Sequence, residues 1–205
     1  TLSGMLIGIL AVQGGVREHQ RTLDELNIEH RAVRRVEHLE GLNGLILPGG
    51  ESTTMSKLLE LGGLLEPLRS ALAQGLPAYG TCAGMILLAS QVLNTRPDAH
   101  WLGAIDMDVR RNAFGRQVDS FEADLDFAGV EGTVPAVFIR APWVERVGDD
   151  VAVLSRVPSG EHAGAIVGVQ QGNVMATSFH PEVSGDTRVH AYFASLVEQA
   201  GYTHP

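Results

Sequence analysis

Leu76-Pro77-Ala78-Tyr79-Gly80-Thr81-Cys82-Ala83-Gly84 is a short apolar run that ends at a glycine-flanked cysteine. A run of this kind, bounded by turn residues, is the mark of a strand covered on both faces. The apolar stretch from Ala83 to Leu93 then reads as a buried helix. The same step from strand to helix occurs twice upstream. Met5 to Val12 is a continuous apolar run broken by Gln13-Gly14-Gly15, and Val16 to Leu26 has weak helical amphipathicity. Gly44 to Leu47 is stopped by Pro48-Gly49-Gly50; Ser52 or Thr53 is placed to cap the next helix, with Met55, Leu58 and Leu59 on one face. Gly62-Gly63 interrupts that helix, and Leu64, Leu65, Leu68 and Leu72 resume the pattern. Ala32-Val33 adds a short second strand. Strands alternating with helices imply a parallel sheet with right-handed crossovers, an α/β fold.

The second half has a different grain. Leu102 to Val109, Val118 to Leu125, Val134 to Ile139, Val151 to Leu154, Ile166 to Gln170 and Val174 to Ser178 are short, alternating and separated by polar turns. They predict antiparallel or mixed strands added to the parallel core. Thr187 to Ala200 closes as a helix with Val189, Tyr192, Phe193, Leu196, Val197 and Ala200 in one stripe. No repeat or linker divides the chain, so residues 1–205 are expected to form a single domain, with 1–4 a short extension.

Composition narrows the function classes. The 205 residues are 44% hydrophobic and 19% charged, and the net charge is −9. An acidic balance argues against nucleic acid and anionic membrane surfaces as partners. One cysteine forms no internal disulfide and no Cys-rich zinc site, which suits a reducing, cytoplasmic setting. No apolar run reaches the ~18 residues of a membrane span, and no signal-peptide pattern opens the chain.

Gly80-Thr81-Cys82-Ala83-Gly84 has the form G-x-C-x-G, the cysteine counterpart of the nucleophile elbow. Its sharp turn lifts the sulfur to the carboxyl end of a strand, where open α/β sheets place their ligands. The helix start supplies unpaired N–H groups and a partial positive charge that favour an anionic sulfur. Ala83 N–H is the expected first oxyanion donor. An inert core cysteine is the alternative for Cys82 in isolation; the strand before it, the helix after it and both glycines favour the nucleophile.

A nucleophilic cysteine needs a base, and histidine is the usual one. Of the eight histidines most lie in polar surroundings and read as surface residues. His180 differs, because it ends the apolar strand Val174 to Phe179 and begins His180-Pro181-Glu182. In an extended loop, residues two apart face the same side, so Glu182 would orient the imidazole, and Pro181 would keep the segment out of a helix. Pro48-Gly49-Gly50-Glu51-Ser52, after another strand, sits where a second oxyanion donor is needed. It is neither of the common phosphate-binding loops.

Three segments, Pro48 to Thr53, Gly80 to Gly84 and Ser178 to Glu182, together resemble the triad-type (class I) glutamine amidotransferase family. Ala11 to His19, Pro48 to Met55, Arg111 to Glu122 and Val137 to Pro142 are similar, more narrowly, to the glutaminase subunits of pyridoxal 5′-phosphate synthase. The resemblance implies a flavodoxin-like fold, an open, mostly parallel sheet flanked by helices. It implies L-glutamine as substrate, no cofactor or metal, and a separate (PdxS-type) pyridoxal 5′-phosphate synthase subunit that receives ammonia. Carried over by motif, Cys82, His180 and Glu182 would form the triad, with Gly50 and Ala83 holding the oxyanion. Gly50, Glu51, Ser52, Arg111, Ile139 and Arg140 would contact glutamine. Arginine suits the α-carboxylate, although Arg111 and Arg140 could each instead serve a structural ion pair. Glu51 could meet the α-ammonium, face another subunit or lie on a helix surface, and Gln13 could face the site or a partner. A glutaminase of another biosynthetic pathway and a cysteine hydrolase with the same elbow remain the alternative functions.

Overall fold

A computed structural model describes residues 4–115 and 120–205. Thr1 to Ser3 of the expected extension, and positions 116–119 with the start of the strand expected at Val118, lie outside the described residues.

The chain runs β1 (Leu6–Leu10), α1 (Val16–Glu25), β2 (Glu29–Val33), a 3-10 turn (Val36–Leu39), β3 (Gly44–Leu47), α2 (Ser52–Leu61), α3 (Leu65–Gln74), β4 (Ala78–Thr81) and α4 (Ala83–Leu88). It continues through β5 (Ala89–Leu93), β6 (Ile105–Arg110), β7 (Ser120–Asp126), β8 (Thr133–Ile139), β9 (Trp143–Val147), β10 (Ala152–Arg156), β11 (Ile166–Gln171) and β12 (Val174–Thr177). A one-turn helix α5 (Pro181–Ser184) and α6 (Arg188–Ala200) follow.

Five strands in the order β2-β1-β3-β4-β12 are parallel to one another. That is the flavodoxin-like order, with the last strand of the chain taking the fifth place. Beyond β12 the sheet turns antiparallel through β11, β9 and β6, β5 closes the edge parallel to β6, and β10 pairs with β11. Period-two alternation sorts the central side chains into two cores. Leu10, Leu45, Leu47, Ala78 and Ala176 pack with α2, α3 and α4. Ile7, Ile9, Ile46, Tyr79 and Met175 pack on the other face with Leu23 of α1, Phe193 and Val197 of α6, and Phe138 of β8. The antiparallel hairpin β7–β8 stands outside the main sheet and brings Ile139 toward the strand ends.

One expectation is corrected, and one strand was not expected. The helix predicted to Leu93 ends at Leu88, and Ala89–Leu93 becomes β5. Ser90 explains the switch: its hydroxyl donates to Met107 O at 2.8 Å and accepts from Met107 N at 3.0 Å, joining the segment to β6 at a register shift. Pairing with a neighbouring strand outweighs local pattern. Strand β9 has no clear mark in the sequence, because only Val144 of its five residues is fully buried.

Candidate active site

The parallel pairing of β4 with β12 sets Thr81 opposite Thr177. The residues that leave these neighbouring strands therefore emerge at one rim, although Cys82 and His180 lie far apart in sequence. Cys82 is the N-cap of α4 with φ +53, a left-handed backbone held by its N–H donating to Thr177 O at 2.8 Å. A non-glycine residue there costs of order 1–3 kcal/mol and is characteristic of functional turns. The elbow glycines are required by contact. A Cβ on Gly80 would strike the Gly84 carbonyl, and one on Gly84 the Leu47 carbonyl. Cys82 is 8% exposed, and it opens on a cleft of about 610 Å³ lined also by His180, Glu182, Gly49, Gly50 and Arg111.

His180 is fixed from two sides. Its backbone N–H donates to Val137 O at 2.9 Å and its Nδ1 meets Glu182 Oε1 at 2.7 Å, while the ring shares the cleft with the Cys82 side chain. The segment is not the extended loop expected. Pro181 is the first residue of α5 and His180 its N-cap. Proline suits that position because its missing N–H would be unpaired in any helix start. Glu182 then reaches the imidazole from the first helical turn.

The electrostatics follow from enclosure. Burial opposes charge on His180, but the hydrogen bonds of Cys82 and Glu182, with their charges, outweigh it and push the ring up to about 10. Burial likewise opposes the Glu182 anion; His19, the hydrogen bond and charge of His180, and His190 offset it and hold the carboxyl down at about 2. At neutral pH the pair is an imidazolium beside a carboxylate.

The loop after β3 forms the opposite wall. Gly49 O accepts from Gly15 N at 3.1 Å. In a trans peptide the Gly50 N–H then lies on the side away from Gly15. Gln13, left open by the sequence, latches the loop: its Oε1 accepts from Glu51 N at 2.8 Å. Glu51, not Ser52 or Thr53, is the N-cap of α2, accepting from Thr53 N at 3.3 Å and Thr54 N at 2.6 Å. Burial opposes its charge, yet the hydrogen bonds of Thr53 and Thr54 hold the carboxyl down at about 2. Arg111 lies 3.2 Å from Glu51 Oε1 in an ion pair across the cleft. Ser52 is buried beside it. Ala83, first in α4, has no intrahelical acceptor for its N–H. Ile139 O accepts from Cys82 Sγ at 3.7 Å, and Arg140, with φ +46, lines the cleft. Every residue expected at the site therefore lies in this cleft wall.

Sequence reasoning missed two histidines. His19 and His190, grouped with the surface residues, are fully buried behind Glu182. The signal was present as spacing: His19 shares a helix face with Leu23 and Leu26, and His190 shares one with Phe193 and Val197. His19, Glu182 and His190 bring their polar atoms within 4.8 Å of one another. His19 Nδ1 is already hydrogen-bonded to His190 Nε2 at 2.9 Å, so the cluster is an internal polar network.

Comparison with known proteins gives concordant results. Residues 9–199 match the model of the SNO glutamine amidotransferase family. The chain is 65% identical over 195 residues to the pyridoxal 5′-phosphate synthase subunit PdxT of Rhodococcus opacus, covering 94% of this chain and 96% of that one. It is 64% identical over 197 residues to the PdxT subunit of Corynebacterium jeikeium, covering 96% and 99%. A crystal structure of a glutamine amidotransferase superposes with a TM-score of 0.87 at 47% identity, over 94% of this chain and 98% of that one. No helix among the described residues is long and apolar enough to cross a membrane.

Proposed function

We propose, because this chain belongs to the SNO glutamine amidotransferase family, that it is the glutaminase subunit of a pyridoxal 5′-phosphate synthase. It hydrolyses L-glutamine to L-glutamate and passes the ammonia to a separate synthase subunit for vitamin B6 synthesis. Residues 1–205 act in this proposal as one glutamine amidotransferase domain working in the cytoplasm. The observation that carries it is the convergence of Cys82, His180 and Glu182 on one cleft. The relatives named as PdxT subunits support the choice of pathway over other glutaminases.

The chain's own groups suffice for the chemistry. With His180 held protonated beside it, the Cys82 sulfur attacks the side-chain carbonyl carbon of glutamine. The carbonyl oxygen becomes an oxyanion, held by N–H groups of Ala83 and Gly50. As the C–N bond breaks, the His180 proton moves to the departing nitrogen, giving ammonia and a γ-glutamyl thioester. Neutral His180 then takes a proton from water, the hydroxide adds to the thioester, and glutamate leaves as sulfur recovers the electron pair. Glu182 holds the ring's orientation and balances its charge throughout. Arg111 would take the substrate's α-carboxylate, with Glu51 on its other side placed for the α-ammonium. Arg140 and the backbone at Ile139 would close the end of the cleft, and Ser52 its floor.

The test is incubation with glutamine, with and without purified synthase subunit, following ammonia and cofactor formation together. Ammonia release that depends on Cys82 and feeds cofactor synthesis is expected. Glutamine left intact in the presence of the partner would overturn the reading. Because the oxyanion donor at Gly50 depends on one peptide's orientation, turnover is expected to rise when the partner binds; full turnover by the isolated chain would refute that part.

A further inference from the structure

Behind the triad, two buried histidines that the reaction as described does not use stand in line with Glu182. His19 Nε2 lies 3.6 Å from Glu182 Oε1 and 3.2 Å from Thr81 Oγ1, and His19 Nδ1 lies 2.9 Å from His190 Nε2. His190 Nδ1 is buried with no hydrogen-bond partner among the described residues. Both histidines are inaccessible to solvent, and the Glu182 side chain is 3% exposed.

The two imidazoles share one hydrogen bond, so their protons have only two arrangements. In one, His19 Nδ1–H donates to His190 Nε2. That arrangement puts an unpaired N–H at the buried His190 Nδ1 and turns a lone pair of His19 toward the Glu182 carboxylate, with only the Thr81 hydroxyl to donate to it. In the other, His190 Nε2–H donates to His19 Nδ1, the unpartnered atom is a lone pair, and His19 Nε2–H faces Glu182 and Thr81. A buried unpaired donor and a lone pair facing an anion both cost free energy that the second arrangement avoids.

We propose that His19 and His190 form a neutral, uniformly polarised imidazole pair that aims an N–H dipole at Glu182, making His19 a positioning residue for the triad carboxylate. The inference rests on the glutaminase reading for its consequence in catalysis, but the proton arrangement is a property of the fold. The contact of 3.6 Å is too long for a hydrogen bond and acts as charge–dipole attraction in a dry enclosure. The groups that face the pair are consistent with neutrality. Burial lowers His19, with Glu182 opposing, His180 adding to the fall and Glu18 opposing. Burial lowers His190 to about 3, with His19 acting in the same direction and Glu182 and Asp186 against it. Tyr79, the other titratable group packed there, stays protonated because burial, and then the Glu182 charge, push it well up.

The experiment reads the protons directly. In long-range nitrogen spectra of the 15N-labelled wild-type chain, both rings should carry a single proton on Nε2, unchanged between about pH 5 and about pH 8. A proton on His19 Nδ1, or a second proton gained by either ring in that window, overturns the proposal whether or not any variant folds. In ammonia release with the synthase subunit, His19→Leu should lower kcat roughly tenfold. KM for glutamine should stay within about twofold, and the acid limb of kcat/KM should move to higher pH as Glu182 becomes easier to protonate. His19→Gln, whose amide presents an N–H at the same end, should recover most of the rate and the original limb. Wild-type kcat and acid limb in His19→Leu, or His19→Gln no better than His19→Leu, would also overturn it. If wild type itself releases no ammonia, the glutaminase reading fails and the spectra alone decide the proton arrangement.

Discussion

Gly49→Ala isolates how tightly the triad is packed. A Cβ built at Gly49 lies 2.5 Å from His180 Cε1, 3.3 Å from its Nδ1 and 3.6 Å from Cys82 Cβ. Carbon atoms rest at about 3.5–4.0 Å, so the ring or the loop must yield by about 1 Å. The ring has little room, being tied to Glu182 at 2.7 Å and through its backbone to Val137 at 2.9 Å. A 1 Å misplacement of a catalytic group costs on the order of 10² in rate. That is about 2.7 kcal/mol of barrier, so kcat for ammonia release should fall about 100-fold. KM should change less than about threefold, because the Arg111 wall is untouched. Gly15→Ala is the control. Its Cβ meets only Glu18 Oε2, at 3.3 Å, and the chain keeps the N–H that Gly49 O accepts. Steady-state kinetics with saturating synthase subunit decide the matter. Gly49→Ala with kcat within about threefold of wild type would refute the claim that the imidazole is held by contact.

Other predictions concern charge. Glu182, held at about 2 against an ordinary 4.5, contributes stability that is fully present above pH 4.5 and lost as pH falls toward 2. The difference in urea-unfolding free energy between wild type and Glu182→Gln should therefore shrink over that interval, and a constant difference would contradict the assignment. His180, raised to about 10 from 6.5, contributes stability present below pH 6.5 and lost as pH rises through 10. The alkaline limb of kcat/KM should sit near pH 10, and Glu182→Gln should move it to lower pH by removing an anion that favours the charged ring. Arg111→Ala should raise KM for glutamine about 10- to 100-fold, the worth of a hydrogen bond to a charged group, while kcat changes little. An unchanged KM would reduce Arg111 to the partner of Glu51.

The parts of this molecule that were legible in sequence are those where one local constraint dominates. Continuous apolar runs in β1, β3 and β4 announce strands buried on both faces. Glycines at 80 and 84 announce a turn too tight for a Cβ, and the pairing of β4 with β12 justifies joining Cys82 to His180. What escaped depends on long-range geometry. Ser90 completes a ladder with Met107, seventeen positions further along the chain, and no local pattern shows that. Pro181 reads equally well as a helix breaker or a first helical residue; the chain's course after β12 selects the second. Glu51 displaced the expected serine or threonine cap because its longer side chain reaches the N–H groups of Thr53 and Thr54 and also meets Arg111. His19 and His190 escaped because a polar residue type was weighed above its helical spacing.

Glutamine hydrolysis by this chain requires the sulfur of Cys82 to form a bond to the glutamine carbonyl carbon. Rapid acid quench of the chain turning over glutamine with its synthase subunit, followed by peptide mass spectrometry, measures this directly. A γ-glutamyl mass on the peptide containing Cys82, absent from Cys82→Ala and from samples without glutamine, is the predicted result. Steady ammonia release by the Cys82→Ala chain, or an adduct on any other residue, would contradict it.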